Sequence, residues 1–237
     1  MDIQADFGGV FRRRFILLLG AMVTPYVCMF AVLAAIGLAL RSAMPLSQPV
    51  DPRDLWNSFG LLPKVGVFVA FGLSAFSPYA VGIAGVSLIT WEDRQGKIPA
   101  AREIAARVWP LVPRLMVLGF LTGVGTLFGS FLLVIPGILL AAVTAFAVPS
   151  LVIEELSVAK ALRRSIVLAK HDLFAVAGMY LLVFALTFGL QIVATRWMGG
   201  SIALALSVVF FLALAIHVSV GVLITLFYCQ ARSRVES

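Results

Sequence analysis

The sequence predicts an all-α polytopic membrane protein. Six transmembrane helices are expected, arranged as three hairpins, with amphipathic interfacial helices on the cytoplasmic side. Three observations lead there. The 237 residues are 62% hydrophobic and 12% charged, about half the charged share of a soluble domain. Mean hydropathy is +1.07, more apolar surface than a soluble chain of this length can bury. The apolar residues also fall in long runs divided by short cationic segments.

A membrane span takes about 20 apolar residues. Runs near 15–40, 61–91, 115–134, 137–153, 173–195 and 201–230 supply six spans in a single transmembrane domain, 1–237. The first run follows Arg12, Arg13 and Arg14. It is longer than the roughly 7–15 residues of a signal-peptide core, so it is expected to be retained. The outer loop at 41–60 carries Pro45, Pro49 and Pro52, with Asp51-Pro52 as a helix-start signal. An interfacial turn anchored by Leu55, Trp56 and Phe59 is the plainer expectation for it, and a binding lid the sharper one. Val134-Ile135-Pro136-Gly137 predicts a tight hairpin between the third and fourth runs, since Pro cannot continue the backbone ladder and Gly permits a turn. A kinked helix with a re-entrant piece is the alternative. The sixth run is long and is expected to emerge as helix before Arg232.

Charge orients the spans. With the N-terminus inside, fourteen of the eighteen Lys and Arg residues fall on inner segments. The other four are Arg41, Arg53, Lys64 and Arg196. Cations stay on the cytoplasmic side during insertion, so both termini are expected there, in a bacterial inner membrane. The pI near 10 does not indicate nucleic acid, because the cations sit at span ends, where they face headgroup phosphates.

Two inner segments have helical amphipathicity. One lies near 98–109 and carries Arg102 and Arg107. The other lies near 156–171. At 100° per residue its Lys160, Arg163, Arg164, Lys170 and His171 share about one third of the circumference. Val158, Ala161, Leu162, Ile166, Leu168 and Ala169 fall opposite. Such helices lie in the membrane interface and hold anionic headgroups, so Lys160, Arg163, Arg164, Lys170, Arg102 and Arg107 are the expected lipid contacts. Together with the basic segment before the first span, they suggest three units of interfacial helix plus helical hairpin. Spans two and four end alike, in Trp91-Glu92-Asp93 and Ile153-Glu154-Glu155.

Catalytic signatures are missing. The chain has two histidines, no Gly-rich phosphate loop and no metalloprotease or hydrolase motif. Independent catalysis is not expected, nor is a metal or cofactor. Cys28 and Cys229 lie in apolar runs and read as packing residues. Glu154 and Glu155 are expected to cap the interfacial helix and pair with basic residues there; a gating role is the alternative. Glu103 and Arg107 stand at i,i+4 in the favourable order. His217 is an ionisable residue well inside a run, either a polar-path residue or a packing one. Gly119, Gly123, Gly125 and Gly129 form two small-xxx-small pairs for close helix packing, within the chain or in a homodimer.

Ile135-Pro136-Gly137, Phe146, Pro149, Glu154, Ala161-Leu162-Arg163-Arg164-Ser165 and Lys170 resemble the membrane domain associated with glycerophosphodiester phosphodiesterases. Stand-alone bacterial inner-membrane proteins share that domain. The match covers about 135–175. Ile166 stands where the family commonly has an aromatic. The resemblance implies a six-span bundle and a lipid-related role. No appended catalytic domain follows before Ser237, so the phosphodiesterase chemistry is not expected here. The expected function is a non-enzymatic, lipid-interacting or partner-binding membrane component. A transporter or channel for a lipidic or small amphipathic substrate is the alternative, with Glu154, Glu155 and His217 on its path.

Overall fold

A computed structural model describes residues 3–43, 60–197 and 202–236. The proline-bearing outer loop expected at 41–60 lies almost wholly outside them. Among the described residues the fold is helical, with no strand. The elements are α1 (Ile3–Ala43), α2 (Leu61–Arg94), α3 (Ala101–Val108), a single 3₁₀ turn (Trp109–Leu111), α4 (Val112–Leu132), α5 (Val134–Thr144), α6 (Ala147–Ile153), α7 (Val158–Trp197) and α8 (Ile202–Glu236). Five stretches are long and apolar enough to cross a membrane: Asp6–Ala35, Ala101–Phe131, Val134–Ile153, Val158–Leu190 and Leu212–Glu236. The chain is therefore described as a multi-pass membrane protein.

The long helices close into a ring. α1 packs on α2, α2 on α4, α4 on α5, α5 on α7, α7 on α8, and α8 back on α1. α6 continues α5 inward, against α2 and α7. Two apolar cores fill the bundle. One centres on Leu18, Met22, Leu88, Leu115 and Leu151. The other centres on Phe146, Leu168, Ile224 and Tyr228. Outward residues such as Ile16, Phe131, Phe174 and Leu182 are exposed and apolar. That inversion of the soluble pattern is what a hydrocarbon solvent requires.

Small residues set the helix spacing. A Cβ at Gly119 would lie 2.9 Å from both the Ala80 Cβ and the Phe76 carbonyl oxygen. A Cβ at Gly129 would lie 3.0 Å from the Gly137 Cα. Gly119 and Gly123 thus face α2, while Gly125 and Gly129 face α5. Both small-residue pairs are used inside the chain.

Three local features differ from the sequence expectation. The reversal between α4 and α5 falls on Leu133, which is fully extended (φ −166°, ψ 144°). Pro136 and Gly137 sit instead in the first turn of α5. There the missing proline N–H costs nothing, because first-turn donors have no partner in the helix. The fourth run is not one helix. It breaks at Ala145-Phe146, between α5 and α6. Pro149 explains the break: its ring displaces the carbonyl four residues back, and it has no N–H to donate. Lastly, the expected Glu103–Arg107 pair does not form. Glu103 turns back to the Ala100 N–H (3.3 Å), and Arg107 reaches Glu92. An acceptor on a neighbouring helix end outcompetes a weak local pair.

α7 runs for 40 residues, with non-helical dihedrals at Asp172 (φ −127°, ψ 22°). This kink divides the basic segment from the apolar one, where the sequence places the boundary between an expected interfacial helix at 156–171 and an expected span at 173–195.

Candidate functional site: the charged end of the bundle

Ion pairs bring the cationic segments to one end of the ring. The first turns of α1, the last turns of α2 and α8, α3, the end of α6 and the start of α7 all meet there. Asp93, at the end of α2, is buried with its side chain 3% exposed. Its Oδ2 accepts from Arg13 and its Oδ1 from Arg14, both at 2.8 Å. Arg94 pairs with Asp6 at 3.8 Å. Glu92 accepts from Arg107 of α3. The carboxylates ending α2 therefore hold both the start of α1 and α3.

The end of α6 repeats the device. Glu154 Oε1 accepts from the Tyr228 hydroxyl (2.5 Å) and from Arg164 Nε (3.4 Å). Arg164 also donates to Glu236 (3.1 Å), which accepts from Arg232 (2.8 Å). Arg232 lies over the Trp91 ring at 5.7 Å, joining α8 to α2. Arg234 closes the cluster on Asp172, the kink residue (3.1 Å). Glu155 is exposed and adopts φ +53°, the left-handed cap that ends α6.

Arg164 changes which face of α7 is buried. With its guanidinium drawn inward, Ala161, Ser165, Leu168 and Ala169 pack on the bundle. These positions are spaced i, i+4, i+7, i+8, the stripe of a packed helix. Ile166, which periodicity alone places on the apolar side, is 44% exposed. It shares the outward face with Val167, Phe174, Lys160, Arg163 and Lys170. α3 has a matching outer face. Ile104 and Val108 are buried, Arg102 is exposed, and Ile98 and Trp109 flank the helix at 78% exposure each.

Cations at this end thus divide into two sets. Arg13, Arg14, Arg94, Arg107, Arg164, Arg232 and Arg234 are ion-paired. Lys160, Arg163, Lys170 and Arg102 have no carboxylate partner among the described residues, and neither do Arg12, Lys97 and Arg114. Of the six expected lipid contacts, Arg107 and Arg164 therefore belong to the paired set.

Ser165 repairs the broken helix. Its hydroxyl donates to the Val143 carbonyl (2.7 Å) and accepts the Phe146 N–H (3.1 Å), two groups freed by the break. The segment 135–170 is thus one packed unit. Pro149 makes the break, Ser165 satisfies it, and the Glu154–Arg164 pair pins it. Ser165→Ala strands a buried donor and acceptor and is expected to cost about 2 kcal/mol. Thr187→Ala removes only a bond to its own helix, at Val183, and is expected to cost under about 0.5 kcal/mol. Thermal unfolding in one detergent checks both.

His217 lies on α8, about 22 Å from Arg232 at 1.5 Å per residue. Its Nδ1 contacts the Ala213 carbonyl at 2.6 Å, so that nitrogen carries the proton. The ring meets Tyr79 edge-on, with centroids 5.3 Å apart. Tyr180 and Tyr26 interact with Tyr79 in turn. The arrangement brings neither Glu154 nor Glu155 to this level. Asp93, Tyr228 and Ser165 were not foreseen in these roles. The matching ends Trp91-Glu92-Asp93 and Ile153-Glu154-Glu155 were the available signal for the first.

No family model matches the chain. No solved structure matches it either.

Proposed function

We propose that this chain is a six-span bacterial inner-membrane protein, with both termini cytoplasmic, that holds anionic phospholipid headgroups on its cytoplasmic face. It works as a lipid-interacting or partner-binding component without catalysis of its own. α2, with 34 residues, is the sixth span, and the units are three hairpins. The charge bias and the resemblance to the phosphodiesterase-associated membrane domain support this reading.

One observation carries it. Paired cations lock the bundle end, while unpaired ones line outer faces beside exposed apolar side chains. On α7, Lys160, Arg163 and Lys170 share a face with Ile166, Val167 and Phe174. On the α3 side, Arg102 stands between Ile98 and Trp109. Apolar groups entering the acyl boundary with cations at phosphate level is the signature of an interfacial helix.

Each such cation contributes about 1 kcal/mol toward an anionic surface. K160Q/R163Q/K170Q is therefore expected to weaken phosphatidylglycerol retention roughly a hundredfold. Native mass spectrometry from mixed-lipid nanodiscs reads this. Retention equal to that of the unmodified chain would overturn the proposal.

The transporter reading is kept on a separate observation. His217 of α8 meets Tyr79 of α2 edge-on, with Tyr26 of α1 and Tyr180 of α7 near that tyrosine, all within long apolar runs. Ionisable groups there mark substrate or ion paths.

A further inference from the structure

A second charged feature is concave. A cavity of about 240 Å³ opens between the first turns of α1 and the end of α2, lined by Asp6, Val10, Arg13, Asp93 and Arg94. Asp6, Val10 and Arg13 share one face of α1, at i, i+4 and i+7. The four charged side chains sum to zero. A simple phosphate or an anionic headgroup would meet carboxylates as well as guanidiniums. A ligand carrying both a phosphate and an ammonium satisfies both signs.

The two carboxylates are not equivalent. Asp93 is buried, and each of its oxygens already accepts from an arginine. It orients Arg13, whose guanidinium is 62% exposed and keeps further N–H donors at the cavity. Asp6 is 38% exposed and stands 3.8 Å from Arg94, beyond hydrogen-bond length, so its oxygens keep acceptor capacity. Arg94 supplies positive charge at the cavity wall. At about 240 Å³ the cavity has room for a group the size of phosphoethanolamine. Arginine suits its phosphate.

We propose that this cavity binds a phosphoethanolamine group, with the phosphate on Arg13 and Arg94 and the ammonium on Asp6. The inference rests on the membrane-interface placement proposed above for this end. It is independent of the Lys160, Arg163 and Lys170 face.

The test uses the full chain in nanodiscs containing phosphatidylethanolamine and phosphatidylglycerol, read by native mass spectrometry. Asp6→Asn is expected to lower phosphatidylethanolamine retention at least tenfold and leave phosphatidylglycerol unchanged. Asp6→Glu should restore much of the loss. Asp6 is partly exposed, and its pair is long at 3.8 Å, so the unfolding midpoint should not move. Soluble glycerophosphoethanolamine separates the two sources of the group. Binding that equals the lipid's and is lost in Asp6→Asn assigns the site to a solute. Binding that needs the acyl chains assigns it to the lipid. Phosphatidylethanolamine retention unchanged in Asp6→Asn would overturn the site. So would equal loss of both lipids. The K160Q/R163Q/K170Q arm reads phosphatidylglycerol alone, so the two proposals fail separately.

Discussion

Asp93→Asn is expected to destabilise the fold by about 3 kcal/mol, the largest effect of any single charge removal among the described residues. The carboxylate is 3% exposed and neutralises two guanidiniums at 2.8 Å. Asparagine keeps the shape but leaves two like charges side by side, one of them largely out of water. Breaking a buried pair costs about 3–5 kcal/mol. The lower end applies because Arg13 is well solvated and screened. The same reasoning ranks the partners. Arg14, 20% exposed, should cost more on replacement by Gln than Arg13, 62% exposed. Unfolding midpoints of Asp93→Asn, Arg14→Gln and Arg13→Gln should fall in that order. Asp93→Asn within 0.5 kcal/mol of the unmodified chain would refute the clamp.

Gly137→Ala is expected to cost a similar amount for a different reason. Its Cβ would stand 2.6 Å from the Ser130 N and 2.8 Å from the Ser130 Cα. Both are backbone atoms with no flexible end to move, so α4 and α5 must separate. Overpacking costs typically about 1–3 kcal/mol, and a backbone clash belongs at the top of that range. Gly178 and Gly189 are the controls. A Cβ at either meets nothing within 4 Å. There alanine should be neutral, or stabilising by up to about 1 kcal/mol, because it favours the helix. A midpoint for Gly137→Ala equal to these controls would mean the helices do not approach so closely.

These two residues show how far the sequence is legible. The change from a basic to an apolar segment near residue 171 is legible, because charge placement and apolar run length are local properties. The kink at Asp172 falls on that boundary. The matching acidic ends Trp91-Glu92-Asp93 and Ile153-Glu154-Glu155 are legible too. Their partners are not. Periodicity could not tell that Asp93 would take two arginines 79 and 80 residues away. Nor could it tell that Glu92 would draw Arg107 from Glu103. Ile166 shows the same limit. Its outward position follows from Arg164 turning inward to carboxylates on α6 and α8. The helix break depends on Pro149 together with a serine hydroxyl from another helix. The first part is readable from sequence, the second only from packing.

The central claim is that the unpaired cations Lys160, Arg163 and Lys170 hold phosphatidylglycerol, while the ion pairs on Asp93 and Glu154 hold the fold. One comparison tests it most directly. K160Q/R163Q/K170Q and R13Q/R14Q/R164Q each remove three positive charges from the same end of the bundle. Phosphatidylglycerol retention and unfolding midpoint are measured for both in the same nanodiscs. The account predicts that the first variant loses lipid at an unchanged midpoint, and that the second loses midpoint with most of its lipid kept. Equal lipid loss in both would contradict it, since net charge alone would then explain the binding.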